Sequence, residues 1–137
     1  MDLRFSFDQP PIEQYWHLYM GTGWNDEYRL SPEAIARALA NSWYSVSAYD
    51  GDQLVGYGRI LTDGVMHAMI YDLIVAPDYQ GRGIGSSILD RLVRKCSETG
   101  IYDVQLFCAR GKTEFYEKHG FVSRPDDAPG MEFRPVQ

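Results

Sequence analysis

Apolar positions recur every three or four residues between positions 12 and 20, and this spacing predicts a helix that ends at Gly21. Ser31 and Pro32 are residue types that favour the N-cap and the first position of a helix. They predict a second helix that runs to about Asn41. The first part of the chain is therefore expected to be helical.

After the second helix the apolar spacing changes to the two-residue period of strands. Asp50-Gly51 and Asp63-Gly64 are hairpin signals between the apolar runs. The predicted strands are Trp43–Tyr49, Leu54–Leu61 and Val65–Val75. Because hairpins join antiparallel neighbours, we expect three consecutive antiparallel strands.

The second half of the chain predicts a long helix that stops at Gly100, a buried strand, a short helix and two final strands. This order predicts an α/β (α+β-like) fold, in which a central mixed, mostly antiparallel, twisted sheet is flanked by about four helices. No repeat or linker divides the chain, so we expect a single domain over 1–137. The predicted bounds of these later elements are Gly83–Glu98, Val104–Phe107, Lys112–His119, Phe121–Val122 and Met131–Phe133.

Charge and cysteine usage exclude several classes of protein. A formal net charge of −6 and a sequence pI near 4.9 argue against binding to nucleic acid or anionic membranes, because such binding needs a basic surface. Cys96 and Cys108 form no CxxC pattern, and no apolar run is long enough for a signal core or a membrane span. We therefore expect a cytoplasmic protein with reduced thiols. His17, His67 and His119 are scattered and predict no metal site.

A glycine-rich loop follows the third strand and opens the long helix, with Gly81, Gly83 and Gly85 at alternate positions. Such a loop lets backbone N–H groups approach an anion, and the helix N-terminus adds partial positive charge. Arg82 adds a full charge. The alternative is a strand-to-helix turn without a ligand. The spacing is not G-x-G-x-x-G, and no lysine is present for a G-K-[ST] loop, so both of those nucleotide motifs are excluded.

The same stretch resembles the Q/R-x-x-G-x-G/A loop of the GNAT acyl-CoA N-acyltransferase superfamily. Two further patterns of that superfamily also match, one before the loop and one after it. The residues that carry the resemblance are Gln80, Gly83 and Gly85 in the loop, Leu73, Val75 and Pro77 in the preceding L-x-V-x-P pattern, and Phe115, Tyr116, Gly120 and Phe121 in a later F-Y-x-x-x-G-F pattern. More narrowly, Gly23-Trp24, Tyr71-Asp72, Tyr79-Gln80-Gly81, Leu106-Phe107 and Gly130-Met131 are similar to the plant and bacterial serotonin (arylalkylamine) N-acetyltransferase branch.

The resemblance implies a GNAT fold, acetyl-CoA as co-substrate, and a coenzyme site built mainly from backbone. In this family the loop holds the pyrophosphate and the end of the preceding strand pairs with the pantetheine arm. Lys112 and Lys118 are further candidates for the coenzyme phosphates, although a solvated surface role is the expectation for both. The implied coenzyme-binding residues are Ile74, Val75, Gln80, Gly81, Arg82, Gly83, Ile84, Gly85 and Ser86.

Two residues are candidates for the chemistry. Tyr116 occupies the position of the family's usual general acid, which protonates the sulfur of coenzyme A, and the alternative is an aromatic packed under its helix. Asp72 interrupts an otherwise apolar strand, where a carboxylate is costly unless it is paired. It is a candidate base or anchor for the substrate ammonium group, and pairing with Arg59 on the neighbouring strand is the equal alternative.

Aromatic residues are expected to line the amine pocket, with Trp24, Tyr28 and Tyr71 as substrate-binding candidates and His67 beside them, although core packing explains most aromatic residues. The serotonin branch often has an acidic residue after the Leu-Phe pair, and this chain has Cys108-Ala109-Arg110 there instead. That departure puts an arylalkylamine substrate in question. Cys108 is a conceivable acyl carrier, but an inert buried thiol is the expectation.

The sequence thus predicts an acetyl-CoA-dependent N-acetyltransferase that transfers the acetyl group directly, in a ternary complex, to a small primary amine such as an arylalkylamine or a polyamine. Acetylation of a protein lysine or N-terminus is an enzymatic alternative. A catalytically silent acyl-CoA sensor is an alternative of another class. A homodimer is the default expectation, with neither nucleic acid nor a membrane as partner.

Overall fold

The chain divides into two compact units, Met1–Leu106 and Phe107–Gln137. The computed structural model describes residues 1–135. The second unit contains one helix among its described residues. In chain order the elements of the first unit are β1 (Leu3–Ser6), α1 (Ile12–Met20), α2 (Asn25–Tyr28), α3 (Pro32–Ala40), β2 (Tyr44–Asp50), β3 (Gln53–Thr62), β4 (His67–Val75), a 3-10 helix (Pro77–Tyr79), α4 (Ile84–Thr99) and β5 (Asp103–Leu106), and α5 of the second unit spans Thr113–Lys118.

The five strands of the first unit form one sheet in the order β1-β2-β3-β4-β5. β1 to β4 pair antiparallel, and β5 pairs parallel to β4 through His67–Ile70 opposite Asp103–Leu106. The predicted mixed, mostly antiparallel sheet is therefore confirmed. β4 continues to Val75, well beyond the last residue that β5 covers.

Helices cover both faces of the sheet. Because side chains alternate along a strand, Gly56 and Gly58 of β3 lie on one face and Tyr57 on the other. A Cβ atom at either glycine would contact Ile88 or Leu92 of α4 at 3.0 Å or less, so α4 lies directly on the backbone of β3. On the other face α1 and α3 pack in a core of buried residues made of Tyr15, Leu18, Tyr19, Ile35, Leu39, Tyr49, Leu54, Tyr57 and Ile74.

Local chemistry explains why several elements begin and end where the sequence predicts. The Ser31 side chain accepts a hydrogen bond from Ala34 N at 3.1 Å and so caps α3. Gly100 ends α4 in the left-handed conformation, at φ 85°. Asp63 Oδ1 accepts hydrogen bonds from the backbone N–H groups of Val65 and Met66, which delays the start of β4 to His67.

Three features differ from the predictions. The sequence prediction omitted β1 and α2, which are four residues each. The final strands predicted at Phe121–Val122 and Met131–Phe133 were wrong, because the structure places no strand in 107–135. Val122, Met131 and Phe133 are between 86% and 88% exposed, so they have no core to pack against.

Candidate active site

The glycine loop joins the end of β4 to the start of α4. Gly81 and Gly83 both adopt left-handed backbone, at φ 78° and 81°. A Cβ atom built on either one would meet nothing within 4 Å, so the backbone is open to an approaching group. Gly83 is also the N-cap of α4, a helix of 16 residues. Backbone N–H groups in such a turn, together with a helix N-terminus, form a site for an anion such as a pyrophosphate.

Side chains of the loop anchor it to its surroundings. Gln80 Nε2 donates to Val75 O at 3.0 Å. Tyr79 donates its hydroxyl hydrogen to Asp50 Oδ2 at 2.7 Å, and this bond raises the pKa of Tyr79 and lowers that of Asp50. The Arg82 guanidinium lies over the Tyr79 ring, 5.3 Å from its centroid. The loop is thus fixed to the β2–β3 hairpin and to the last residue of β4.

Towards its end, the strand before the loop has an edge that no strand within residues 1–135 covers. Pairing between β4 and β5 ends at Ile70 opposite Leu106, so on the β5 side the residues from Tyr71 to Val75 have no strand partner within 1–135. A strand edge without a strand partner offers backbone donors and acceptors to an extended ligand. This edge leads directly into the glycine loop, where the sequence analysis placed the pantetheine contacts of Ile74 and Val75.

Asp72 forms an ion pair with Arg59 on the neighbouring strand. Arg59 Nε lies 2.7 Å from Asp72 Oδ2, and the two side chains are 14% and 22% exposed. The same guanidinium donates from Nη1 to Ala38 O at 3.1 Å and to Ser42 Oγ at 3.3 Å. The structure therefore contains the ion pair with Arg59 that was the alternative for Asp72. A role for Asp72 as base stays a prediction.

An aromatic cluster lies near Asp72. Tyr15 contacts Tyr19 and Tyr57, with ring centroids 5.7 Å and 4.9 Å apart, and Tyr19 meets Trp24 edge-on at 6.4 Å. Burial first, and then the charge of Asp72, raises the pKa of both Tyr15 and Tyr19. Tyr15 and Tyr19 were not predicted as site residues, because their helical spacing fits core residues equally well.

The predicted substrate-binding residues differ in exposure. Trp24 is 38% exposed and Tyr28 is 64% exposed, and a deprotonated Tyr28 would also raise the pKa of Tyr19. Tyr71 is half-buried, opposite Arg59 in the strand register. Trp24 contacts the ring of Tyr19, whose pKa the charge of Asp72 raises, and Tyr71 directly precedes Asp72 in β4. His67 begins β4 five residues from Asp72, or roughly 16 Å along the strand, and pairs instead with Asp103.

The second unit carries the remaining candidates. Tyr116 lies on α5 between the rings of Phe115 and Phe121, at centroid distances of 5.1 Å and 5.9 Å. Burial, together with the nearby Cys108 thiol, raises the pKa of Tyr116. The prediction of a buried Cys108 was wrong, because its side chain is exposed. Lys112 and Lys118 are exposed as well.

An unpaired strand edge that leads into an anion-binding loop is the arrangement expected for an acyl-CoA site, and the comparison with known proteins identifies the family. The family model described as "Acetyltransferase (GNAT) family" matches residues 10–121. The chain therefore belongs to the GNAT family of acetyltransferases, and the family and fold predictions are confirmed.

Similar proteins agree with this identification. A GNAT family acetyltransferase from Streptococcus pneumoniae is 30% identical, with a TM-score of 0.82 over 98% of this chain and 99% of the other. Serotonin N-acetyltransferase 2, chloroplastic, from rice is 33% identical over 109 residues, which are 77% of this chain and 54% of that protein. Histone acetyltransferase TAP1 from soybean is 31% identical over 112 residues, 74% of this chain and 48% of that protein. The chain spans about half the length of these two plant relatives.

Two further predictions concern metals and compartment. Within residues 1–135, no group of three or more His, Cys, Asp and Glu side chains is placed to hold a metal ion. None of the helices described in that range is both long and apolar enough to cross a membrane. A cytoplasmic location stays a prediction, and the rice relative is named as chloroplastic.

Proposed function

We propose that the protein is an acetyl-CoA-dependent N-acetyltransferase that acetylates a small primary amine by direct transfer. The observation that carries the proposal is the uncovered end of β4 leading into a loop with two left-handed glycines at the start of α4. This arrangement offers an extended backbone edge and an anion site in succession. An acyl-CoA has a matching pair of groups, the amide-rich pantetheine arm and the pyrophosphate.

The proposed coenzyme site consists mainly of backbone, and Gly81 and Gly83 fit that role because a Cβ atom built on either one would meet nothing within 4 Å. Bound acetyl-CoA supplies an activated acetyl group as a thioester. On the protein side, the edge at Ile74 and Val75 orients the pantetheine arm, and the loop from Gln80 to Ser86 binds the phosphates. Arg82 adds the positive charge of its guanidinium.

Transfer forms a bond between the amine nitrogen and the acetyl carbon and breaks the carbon–sulfur bond. Starting from the ammonium form of the amine, two protons leave the nitrogen, one proton reaches the sulfur, and the other is released. A primary alkylamine with a pKa near 10 is only about 0.1% neutral at pH 7, so the amine must be deprotonated in the site. Tyr116 is suited to donate the proton that reaches the sulfur, because its raised pKa keeps the phenol protonated at neutral pH.

The proposed acceptor is a small amine that arrives with a positively charged ammonium group and contacts aromatic rings. Asp72 gives the first unit a carboxylate beside an aromatic cluster, and Trp24 and Tyr28 are exposed enough to reach a ligand. Such a site favours an arylalkylamine or a polyamine. Because Oδ2 of Asp72 is held by Arg59, we assign Asp72 to attracting the ammonium group through its other oxygen, Oδ1.

Acetylation of a protein lysine is the second candidate, and the soybean relative named as a histone acetyltransferase supports it. A protein substrate must reach the acetyl group with a lysine on an extended peptide, whereas a small amine needs only the pocket. Competition between the two substrate classes distinguishes them.

Release of coenzyme A thiol from acetyl-CoA tests the proposal across tryptamine, serotonin, spermidine, an aminoglycoside and a histone-tail peptide. We expect the highest kcat/KM for one of the small amines. A peptide that surpasses all of them would transfer the assignment to protein acetylation. Tight binding of acetyl-CoA without turnover of any amine would instead support the sensor alternative.

A further inference from the structure

Asp72 has an unusual backbone conformation for a strand residue. In residues 1–135, two residues other than glycine have positive φ, Arg29 at 54° and Asp72 at 58°. Arg29 is the C-cap of α2, where left-handed backbone is common. Asp72 lies inside β4, where a left-handed residue is strained and persists only if its surroundings hold it.

This conformation belongs to a bulge in β4. Tyr57 pairs with Ile74 and Arg59 pairs with Tyr71, so β4 contains one residue more than β3 over this stretch. A bulge bends its strand and changes the direction of the residues that follow. Here those residues are the uncovered edge Leu73–Val75, so the backbone at Asp72 sets how that edge is presented.

The Arg59 side chain contacts the bulge and two segments outside β4. Its Nε bonds Asp72 at 2.7 Å, and its Nη1 bonds Ala38 O and Ser42 Oγ, at the end of α3 and just before β2. The guanidinium is planar and half-buried, so partners on both sides fix its orientation. The strained residue is thereby tied to a helix and a loop outside its own strand.

We propose that Arg59 is a positioning residue for the coenzyme: its ion pair with Asp72 keeps the β4 bulge in the left-handed conformation and so presents the edge Leu73–Val75 to the pantetheine arm. The inference rests on the proposed function, because it assumes that this edge binds an acyl-CoA. It assigns Arg59 a role in coenzyme affinity that is separate from any contact between Asp72 and the amine.

Glycine at position 72 offers a sharp test, because glycine adopts positive φ without strain and needs no partner to hold it. We would prepare Arg59→Met, Asp72→Gly and the double variant. Arg91→Met is the matched control, since Arg91 is also half-buried and packs over an aromatic ring, that of Phe5. Coenzyme A binding is measured by calorimetry, and amide hydrogen exchange at Leu73–Val75 is measured on the unliganded protein.

We expect Arg59→Met to raise the Kd for coenzyme A by about 5- to 100-fold, the factor that corresponds to the strain of one left-handed residue. Exchange at Leu73–Val75 should become faster. In the double variant Asp72→Gly removes the strain, so the Kd and the exchange rates should return towards those of the wild type. Arg91→Met should change neither quantity.

Two results would overturn the inference. One is an Arg59→Met protein that unfolds more easily but keeps its Kd and its exchange rates, which would make the ion pair merely stabilising. The other is a folded double variant that shows no recovery of either readout. If the wild type itself binds no coenzyme A, the proposed function fails, and the exchange rates at Leu73–Val75 still decide whether Arg59 holds the edge.

Discussion

Tyr116 combines the reactivity and the environment that a proton donor needs. Burial of the phenol and the neighbouring Cys108 thiol both raise its pKa, in that order of importance. The ordinary tyrosine pKa is about 10, so the side chain stays protonated throughout the physiological range. At the scale of single residues, we therefore expect the loss of this hydroxyl to lower turnover most directly.

Replacing Tyr116 with Phe removes the hydroxyl and keeps the ring contacts with Phe115 and Phe121. We expect kcat to fall by about 10²- to 10⁴-fold, the usual contribution of a general acid, while the Kd for coenzyme A stays unchanged. Steady-state kinetics and calorimetry measure the two quantities. Tyr102→Phe is the matched control, because Tyr102 is 85% exposed. A Tyr116→Phe enzyme with wild-type kcat would show that another group protonates the leaving thiol.

The pH dependence follows from the same raised pKa. The donor must be protonated, so activity that depends on it is retained at low pH and lost as the pH rises through the pKa of Tyr116, above about 10. Since Cys108 contributes to the rise, Cys108→Ser should move the alkaline fall in kcat to lower pH. A pH profile of kcat for both proteins measures this shift. An alkaline limb that stays at the same pH would contradict the proposed interaction.

How far the sequence predicted individual residues depended on whether the signal was local. Tyr116 was predicted from a motif within a few positions of it, and its role stays a prediction. Asp72 was singled out as a carboxylate in an apolar strand, and Arg59 was named as a possible partner. The positive φ at Asp72 was not predicted, because it arises from a bulge in the pairing with β3 and from contacts to Ala38 and Ser42. Those contacts join segments far apart in the chain.

At the scale of elements, the packing of α4 on β3 depends on two glycines. A Cβ atom on Gly58 would lie 2.9 Å from Leu92 Cδ1 and 3.0 Å from Ile88 Cγ2. We expect Gly58→Ala to lower the free energy of unfolding by about 1–3 kcal/mol, because both neighbours are buried and must move. Urea denaturation measures the change.

Gly21→Ala is the control for that substitution, since a Cβ atom there meets two backbone oxygens at ordinary distances, Leu18 O at 3.4 Å and His17 O at 3.7 Å. It should change stability far less than Gly58→Ala does. If both variants lose the same free energy of unfolding, the close approach of α4 to β3 is not the reason that position 58 requires glycine.

The glycine loop allows backbone strain to be separated from coenzyme binding. Gly83 and Gly64 have nearly the same φ, 81° and 80°, and a Cβ atom at either meets nothing within 4 Å. Substitution by Ala should therefore destabilise the protein by about 1 kcal/mol or more at both positions. Only Gly83→Ala should also weaken coenzyme A binding, as measured by calorimetry. A Kd that changes equally in both variants would argue against a phosphate site in the loop.

Elements were predicted well where their signals lay within the element. Helical spacing and defined ends predicted α1, α3 and α4. The Asp50-Gly51 signal predicted the hairpin between β2 and β3, whose two-residue turn in the structure is Gly51-Asp52. β1 has four residues and forms against β2, more than forty positions away in sequence. The wrong final strands were short apolar runs near Pro125, Pro129 and Pro135. Proline lacks the N–H that a ladder needs, and the structure pairs none of 107–135 with a strand.

For the whole molecule, a net charge of −6 bears on how a cationic substrate arrives. An acidic protein attracts ammonium groups over distances comparable to the Debye length, which falls from about 30 Å at 0.01 M salt to about 3 Å at 1 M. We expect kcat/KM for spermidine, with several ammonium groups, to fall more steeply with salt than kcat/KM for tryptamine. Parallel curves for the two amines would mean that charge does not guide acceptor binding.

Transfer of the acetyl group itself is the most direct test of the proposed function. The protein would be incubated with acetyl-CoA deuterated in the acetyl methyl group and with the preferred small amine, and the products would be identified by mass spectrometry. We predict that the label appears on the amine nitrogen as an acetamide, together with an equal amount of free coenzyme A. Label that remains on the coenzyme, or appears only as free acetate, would contradict an N-acetyltransferase.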